Sequence, residues 1–383
     1  MRRLELGPRR ALAASVVLIV LASAYVALGA PLHLVRAASA GTPGSIDSLT
    51  AEAGSLLPAG THPYAHHWRN VSPTHSPGVR TQDMLAYDPL LSAVVLFGGN
   101  EPQLNYAYGD TWTFAGGNWT QLGNFSSLPA PRWAATFVYD PQLGGIVLFG
   151  GRDAYTAYGD TWLFANNSWK NITGSGAPSP RFDAAAAYDF SVRALVLYGG
   201  GVGNLPAGSG SAFVAYSDTW TLTTTGWSNA TGTVTGGPGP RFDSRMVYFP
   251  PLAEDILIGG SNASGGSIQH SVDDTWSFQH GAWTALNVTN QPPGKNMKGE
   301  LVYDPVLHKA VLFGGQTVTS LEDSDTFVFT GTGWRNISGL LSTLPPPRSV
   351  SGLTFDGATQ SLVLFGGTRN MGATPENDTW AFT

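Results

Sequence analysis

Five arginines recur at one offset and are the first residues in this chain that could do chemistry. Each stands seven residues before a Tyr or Phe that ends a short apolar segment. They are Arg80, Arg132, Arg181, Arg241 and Arg348. If these segments surround one axis, the guanidinium groups converge at its mouth. Trp133, beside Arg132, adds a surface on which a ligand could stack. We therefore expect all six residues to bind ligand.

Three tyrosines form a second candidate group. Tyr108, Tyr158 and Tyr216 each stand two residues before an Asp, in segments of unequal length. Together they could form an aromatic platform that stacks against a sugar or a peptide. The alternative is that they pack the bases of their own loops.

A third recurring group, the Asp of each Asp-Thr-aromatic motif, resembles catalytic carboxylates or calcium ligands. Glycoside hydrolysis needs one asymmetric pair of carboxyl groups, which equivalent repeat positions do not supply. We therefore expect these residues to anchor strand ends. The chain has no Cys, and its histidines match no zinc pattern. We predict no catalytic residue, no metal site and no cofactor.

These candidates belong to six repeats that follow residue 80. A double glycine after an apolar run begins at Gly98, Gly150, Gly199, Gly259, Gly314 and Gly366. An Asp or Phe preceded by an aromatic residue always stands ten residues before that glycine, whereas the segment after it varies in length. Each unit is typical of four β-strands, with turn residues between them. Gly and Pro together make up about 19% of the chain (48 + 26 of 383), which disfavours helix bundles.

The combination of Pro-Arg, Tyr-Asp, apolar strand, Gly-Gly, Asp-Thr-Trp and a later Trp resembles the kelch repeat. The resemblance covers about 300 residues, and the period of about 50 residues agrees with it. It implies an all-β, six-bladed kelch-type β-propeller. In kelch domains that bind acidic peptides, arginines at corresponding positions line the pocket, so the resemblance suggests anion binding here.

The last repeat lacks its fourth strand. Residues 68–72 resemble the fourth strands at 169–173 and 334–338, and they precede the first repeat. We therefore predict that this amino-terminal strand completes the last blade and closes the ring. The propeller domain then spans residues 67–383.

The amino terminus has the pattern of an export segment. Four arginines precede the uncharged stretch Ala11–Leu32. Its 22 residues are long enough for a membrane-spanning hydrophobic helix, while Ala38-Ser39-Ala40 resembles a cleavage site. We predict a signal peptide or signal anchor over 1–40, a flexible linker over 41–66, and an extracytoplasmic protein that is membrane-anchored or secreted. The membrane is contacted through the amino-terminal segment only.

The charge after residue 40 narrows the range of partners. Fifteen basic and 25 acidic side chains remain (20 − 5 and 26 − 1), a net charge of −10, which excludes nucleic acid as a partner. Ten Asn-x-Ser/Thr sequons are predicted glycosylation sites. They begin at Asn70, Asn118, Asn124, Asn166, Asn171, Asn229, Asn262, Asn287, Asn336 and Asn377.

These features predict a monomeric, non-enzymatic binding or interaction protein that displays variable loops on one propeller face. Its partner would be a protein, a peptide or a cell-surface glycan. Two alternatives stay open. One is a carbohydrate-active propeller enzyme of the epimerase or lyase type, since a copper oxidase of this fold needs a Cys. The other is a structural, glycosylated envelope protein.

Overall fold

The computed structural model describes residues 66–203, 205, 212–264, 267–292, 298–316, 322–369 and 374–383. The predicted amino-terminal helix, and the segment over 1–40 and linker that go with it, lie outside these ranges but for residue 66. Within them the chain forms strands, turns and one 3-10 helix, Ser338–Leu340. No helix in the described part is long and apolar enough to cross a membrane.

The strands are grouped into six four-stranded antiparallel sheets, which we number as blades 1 to 6. The chain begins with β1 (Trp68–Asn70). Blade 1 has β2 (Met84–Asp88), β3 (Ala93–Phe97), the loop strands β4 (Asn100–Glu101) and β5 (Tyr106–Ala107), then β6 (Thr111–Ala115) and β7 (Asn118–Leu122). Blade 2 has β8 (Thr136–Asp140), β9 (Gly145–Phe149), β10 (Thr161–Ala165) and β11 (Ser168–Asn171). Blade 3 has β12 (Ala185–Asp189), β13 (Ala194–Tyr198), the loop strands β14 (Gly201–Val202) and β15 (Val214–Ala215), then β16 (Thr219–Thr223) and β17 (Gly226–Asn229).

The second half repeats the plan. Blade 4 has β18 (Arg245–Phe249), β19 (Glu254–Ile258), the loop strands β20 (Ser261–Ser264) and β21 (Ser267–Ser271), then β22 (Thr275–Gln279) and β23 (Ala282–Leu286). Blade 5 has β24 (Glu300–Asp304), β25 (Lys309–Phe313), β26 (Thr326–Phe329) and β27 (Trp334–Asn336). Blade 6 has β28 (Gly352–Asp356), β29 (Ser361–Phe365), the loop strands β30 (Thr368–Arg369) and β31 (Thr374–Pro375), and β32 (Thr379–Phe382), with β1 as its fourth strand.

The six first strands surround the axis, because β2, β8, β12, β18, β24 and β28 each pack against the first strands of both neighbouring blades. The second strands lie between two layers of side chains. Every residue of β3, β9, β13 and β29 is buried, as expected for apolar runs covered on both sides. The six-bladed β-propeller architecture is therefore confirmed.

The ring closes as the sequence predicts. In blade 6, Trp68 pairs with Phe382 and Asn70 with Trp380. The Trp68 side chain is fully buried, and its ring lies 4.9 Å from that of Phe313 in blade 5. Chain closure therefore joins the two ends of the propeller through a blade made from both.

The motif residues also link each blade to the one before it. The indole Nε1 of each fourth-strand Trp donates to the Oγ1 of the Asp-Thr-aromatic Thr in the preceding blade, at 2.9–3.2 Å. The pairs are Trp68–Thr326, Trp119–Thr379, Trp169–Thr111, Trp227–Thr161, Trp283–Thr219 and Trp334–Thr275. The circle of six bonds explains why Trp and Thr recur at these positions.

The propeller has two faces of different construction. We call the face with the loops between second and third strands, and the connections from one blade to the next, the loop face. We call the opposite face, with the turns between first and second and between third and fourth strands, the turn face. The first-to-second turns have one length in all six blades, and the third-to-fourth turns differ by two residues at most, so most of the variation in length lies on the loop face.

Several sequons recur because they form turns. The Asn171 Oδ1 accepts from the backbone N–H of Thr173, whose Oγ1 accepts from the N–H of Thr161. The same Asx turn forms at Asn70, Asn229 and Asn336. The fold therefore accounts for four of the ten sequons, and their use as glycosylation sites stays a prediction.

Candidate functional site

The five repeated arginines lie inside the blades, in a contact that we call the arginine clasp. Each guanidinium is at most 2% exposed and binds both carboxylate oxygens of the Asp-Thr-aromatic Asp in its own blade, with Nη1–Oδ1 distances of 2.5–2.8 Å. The pairs are Arg80–Asp110, Arg132–Asp160, Arg181–Asp218, Arg241–Asp274 and Arg348–Asp378. The guanidinium donors are taken up by these carboxylates inside each blade, and a direct role of the five arginines in ligand binding stays a prediction.

Each clasp includes further bonds. In blade 2 the Arg132 Nη1 also donates to the Gly150 carbonyl at 2.9 Å, and the Trp162 Nε1 donates to the Asp160 Oδ2 at 2.7 Å. Burial would raise the pKa of Asp160, but the bonds and charge of Arg132 bring it below its usual range. The prediction that the repeated Asp anchors strand ends is confirmed by this geometry.

The three tyrosines cover the clasps. Arginine Cζ atoms lie over the rings of Tyr108, Tyr158 and Tyr216 at 4.1, 4.0 and 4.2 Å from the ring centroids. The Tyr158 hydroxyl donates to the Asp153 carboxylate, and the pKa of Tyr158 is raised to about 12 by burial and by that carboxylate. These contacts agree with the alternative in which the tyrosines pack the loop bases, and a direct role in ligand stacking stays a prediction.

Trp133 is also covered. Its side chain is 6% exposed, within an apolar cluster that includes Phe182, Phe213 and Phe242. The guanidinium of Arg152 lies over both Trp133 and Phe182, at 5.5 and 4.9 Å. Trp133 therefore holds the loops of blades 2 to 4 together, and its role as a stacking surface for ligand stays a prediction.

A ring of strained residues surrounds the axial mouth on the loop face. One residue from each blade, two positions after the arginine or its equivalent, has a left-handed φ of 50–63°. They are Gln82, Ala134, Asp183, Asp243, Lys298 and Val350. Backbone N–H to carbonyl bonds run from blade to blade around this ring, for example Asp183 to Ala134 at 2.9 Å and Asp243 to Asp183 at 3.1 Å. Such strain in non-glycine residues persists only where the surroundings enforce it.

The ring opens into an axial cavity of about 170 Å³. Its charged lining residues are Asp83, Asp183, Arg245 and Glu300. Arg245 and Glu300 form a bidentate pair, with both N–O distances at 3.1 Å. Neither carboxylate oxygen of Asp83 has a hydrogen-bond partner among the described residues. Charged residues from four of the six blades, blades 1, 3, 4 and 5, therefore make the axial lining asymmetric.

The electrostatics of this cavity depend on burial. Desolvation raises the pKa of Asp83 well above its usual value, although Arg80 opposes it. Desolvation also raises the pKa of Asp183, and the neighbouring carboxylate of Asp243 raises it further. A cationic group placed here would stabilise the ionised carboxylates. Among the described residues no group of three or more His, Cys, Asp or Glu is arranged to hold a metal ion.

The candidates predicted from the sequence include neither Arg245 nor Glu300. Both residues stand four positions after the arginine of their blade or its equivalent, where the other four blades have Met84, Thr136, Ala185 and Gly352. The available signal was the pair of opposite charges at this position in two adjacent blades, which indicates a local pairing.

The loops between second and third strands expose apolar side chains on the loop face. They are Leu104, Tyr106, Tyr155 and Val214, which are 77%, 56%, 71% and 48% exposed. All four lie in the loops between second and third strands of blades 1 to 3. Tyr106 packs edge-on against Tyr108 at 5.2 Å, so an exposed ring is supported by a tyrosine that itself rests on a clasp.

Comparison with known proteins gives the chain no relative, since no protein-family model and no curated protein sequence matches it.

Proposed function

We propose that this protein is an extracytoplasmic binding protein of the kelch type, which binds its partner on the loop face. The observation that carries the proposal is the group of exposed side chains on three adjacent blades, Leu104, Tyr106, Tyr155 and Val214. Large exposed apolar groups held on a rigid scaffold are typical of recognition surfaces. The order of motif residues within each blade supports the kelch assignment.

The charge of the loop face narrows the ligand class. The six loops (98–110, 150–160, 199–218, 259–274, 314–325 and 366–378) contain twelve carboxylates and two guanidinium groups. The acids are Glu101, Asp110, Asp153, Asp160, Asp218, Asp273, Asp274, Glu322, Asp323, Asp325, Glu376 and Asp378, and the bases are Arg152 and Arg369. Five of these acids, Asp110, Asp160, Asp218, Asp274 and Asp378, are paired with the clasped arginines, which leaves seven carboxylates against two guanidinium groups. This face therefore favours a neutral or basic partner over an acidic peptide. A glycan or a basic peptide fits best.

An epimerase or lyase needs acid and base groups, for which the repeated arginines and the three tyrosines are the candidates. The five guanidinium groups are bound to carboxylates, and three of them are covered by the tyrosine rings. The geometry therefore favours binding over epimerase or lyase chemistry. A purely structural envelope protein has no use for four exposed apolar side chains on adjacent loops.

The test is a screen of the purified full chain against glycan and peptide arrays, followed by titration of the strongest ligand. We expect saturable binding that the double variant Tyr106→Ser, Tyr155→Ser weakens about tenfold or more, as loss of aromatic contacts does at interfaces. The matched control is Leu90→Ser, an equally exposed position on the turn face, which should bind as the parent does. Equal binding by the parent and the tyrosine variant would contradict the proposal.

A further inference from the structure

The turn face carries its own set of exposed apolar side chains. They are Leu90, Phe190, Val192, Leu252 and Val306, between 39% and 68% exposed. All five lie in turns between first and second strands, which are the turns nearest the axis. They come from blades 1, 3, 4 and 5, so they are spread around the axis.

These side chains are held rigidly at the tips of their turns. The Asp88 Oδ1 accepts the backbone N–H of Leu90 at 2.9 Å, and the Asp304 Oδ1 accepts that of Val306 at 2.8 Å. Both carboxylates are buried beneath the turns that they stabilise. The acids on this side therefore face inward, and the apolar tips face outward.

The turn face is almost without charge. Its first-to-second turns (89–92, 141–144, 190–193, 250–253, 305–308 and 357–360) and third-to-fourth turns (116–117, 166–167, 224–225, 280–281 and 330–333) contain one charged side chain at neutral pH, Arg193. The chain after residue 40 is nevertheless strongly acidic. The half-buried Glu254 and Lys309 stand directly after two of these turns. Apolar turns that hold no carboxylate, on an acidic protein, are suited to an interface that excludes water.

The polypeptide enters the propeller on this side. Trp68 is level with Phe382 and Leu362, beside the turn that follows Asp356. The ring of His66, one step further out, stacks on Phe382 at 5.8 Å. The sequence upstream of this point contains the uncharged stretch Ala11–Leu32. The predicted membrane segment therefore precedes, in the chain, the strand that enters the propeller at this face.

We propose that the turn face docks on the surface of a lipid bilayer, with Leu90, Phe190, Val192, Leu252 and Val306 inserted among the lipids. The proposal rests on the extracytoplasmic location in the proposed function and on the membrane anchor predicted over residues 1–40, and it adds a second contact to the one expected through the amino-terminal segment. Separate apolar tips on turns that hold no carboxylate fit a fluid interface. A tether raises the effective concentration of lipid at this face, so weak contacts suffice. The loop face then points away from the membrane.

The absence of Cys makes a direct test available, because single Cys variants carry one label each. Full-length chains with Leu90→Cys, Phe190→Cys or Val306→Cys report on the turn face, and Tyr155→Cys and Val214→Cys are the loop-face controls. Each is labelled with an environment-sensitive fluorophore and reconstituted into phosphatidylcholine vesicles that contain a lipid-borne quencher. We expect quenching of the turn-face labels about twofold or more above that of the controls, as for side chains at the acyl boundary.

Flotation of the same vesicles separates the two proposals. Chains that fail to float have no membrane attachment, which overturns the docking and the anchoring together. Chains that float with equal quenching on both faces overturn the docking alone. Contact between two labels at position 90, with no quenching by lipid, would show that a second copy covers this face and would also overturn it.

A charged variant gives an independent check. Leu90→Asp with Val306→Asp places two carboxylates on the exposed tips, where neither side chain packs in the core. We expect flotation to be unchanged and the quenching of a label at Phe190→Cys to be lost. Retention of that quenching would contradict insertion of the tips.

Discussion

The loop face and the turn face are built from the same six repeats, yet they differ in chemistry. The loops vary in length and carry seven carboxylates outside the arginine clasps against two guanidinium groups, whereas the turns have one length between first and second strands and carry a single charge. Both faces expose apolar side chains, but in the loops these stand among acids and in the turns they stand alone. The difference shows that exposure by itself does not define a binding surface, because the surrounding charge selects the partner.

The largest expected effect comes from the clasps that fix the loop face. Asp160→Asn keeps the shape of the side chain but leaves the fully buried Arg132 without a countercharge. We expect a loss of roughly 3–5 kcal/mol of unfolding free energy, as when one partner of a buried ion pair is removed. Denaturant titration measures it.

Asp153→Asn is the matched control for this change. The Asp153 carboxylate lies in the same loop, where its Oδ1 accepts from the backbone N–H groups of Tyr155 and Thr156 and its Oδ2 accepts from the Tyr158 hydroxyl. In Asn the amide oxygen can keep the backbone bonds, and the amide NH2 can donate to the Tyr158 hydroxyl. Its cost should stay near 1 kcal/mol, the usual value of a hydrogen bond. If the two variants lost the same unfolding free energy, the buried ion pair of the clasp would contribute no more to stability than an ordinary loop hydrogen bond.

The next effect concerns closure of the ring. Trp68→Ala removes a fully buried indole that packs between Phe313 and Phe382, and we expect a cost of roughly 3–5 kcal/mol. Trp68→Phe keeps much of the packing and loses the bond to Thr326. Trp68→Phe should therefore lose less unfolding free energy than Trp68→Ala. An unchanged melting temperature in Trp68→Ala would contradict closure of the ring by this strand.

Sequence and structure agree where the repeat decides the outcome. The number of blades, the closure at Trp68 and the anchoring Asp follow from periodicity, because a residue that recurs at one repeat position makes the same structural contact in each blade. The side-chain orientation of the arginines did not follow from the sequence, because the offset from Arg132 to Tyr139 gives a position along the chain but not the direction in which the side chain points. The direction depends on Asp160, 28 residues away. Arg245 and Glu300 were missed because they stand at a repeat position that is uncharged in the other four blades, and a search for shared residues does not select departures from the pattern.

A smaller effect should appear beneath the turn face. Asp255 on β19 is fully buried, and neither of its carboxylate oxygens has a hydrogen-bond partner among the described residues. The register places apolar residues at this position in the other five blades. They are Val94, Ile146, Leu195, Ala310 and Leu362. We expect Asp255→Leu to stabilise the protein by about 1–3 kcal/mol at pH 7, since it removes an unpaired buried polar group.

This gain should depend on pH. Burial, and then the charge of Asp189, raise the pKa of Asp255 well above its usual value. The folded state therefore binds this proton more tightly than the unfolded state. The stabilising contribution of the protonated group is complete below the ordinary pKa of about 3.9 and is lost as the pH rises through the folded value. Melting temperatures of parent and variant should converge as the pH falls, and a gap that widens in acid would contradict the assignment.

The smallest effect compares glycan occupancy on the two faces. Asn124 lies in the blade 1 to blade 2 connection on the loop face, and Asn166 lies in a third-to-fourth turn on the turn face. Both are sequons, and both have a left-handed φ, 61° and 51°. If the turn face rests on lipid, a bulky polar glycan at Asn166 would hold it away from the bilayer. In a host that glycosylates sequons, mass spectrometry of the membrane-bound protein should find Asn124 modified and Asn166 bare. If Asn166 carries a glycan and the turn face still docks, the third-to-fourth turns do not contact lipid. Docking would then involve only the first-to-second turns, which lie nearest the axis.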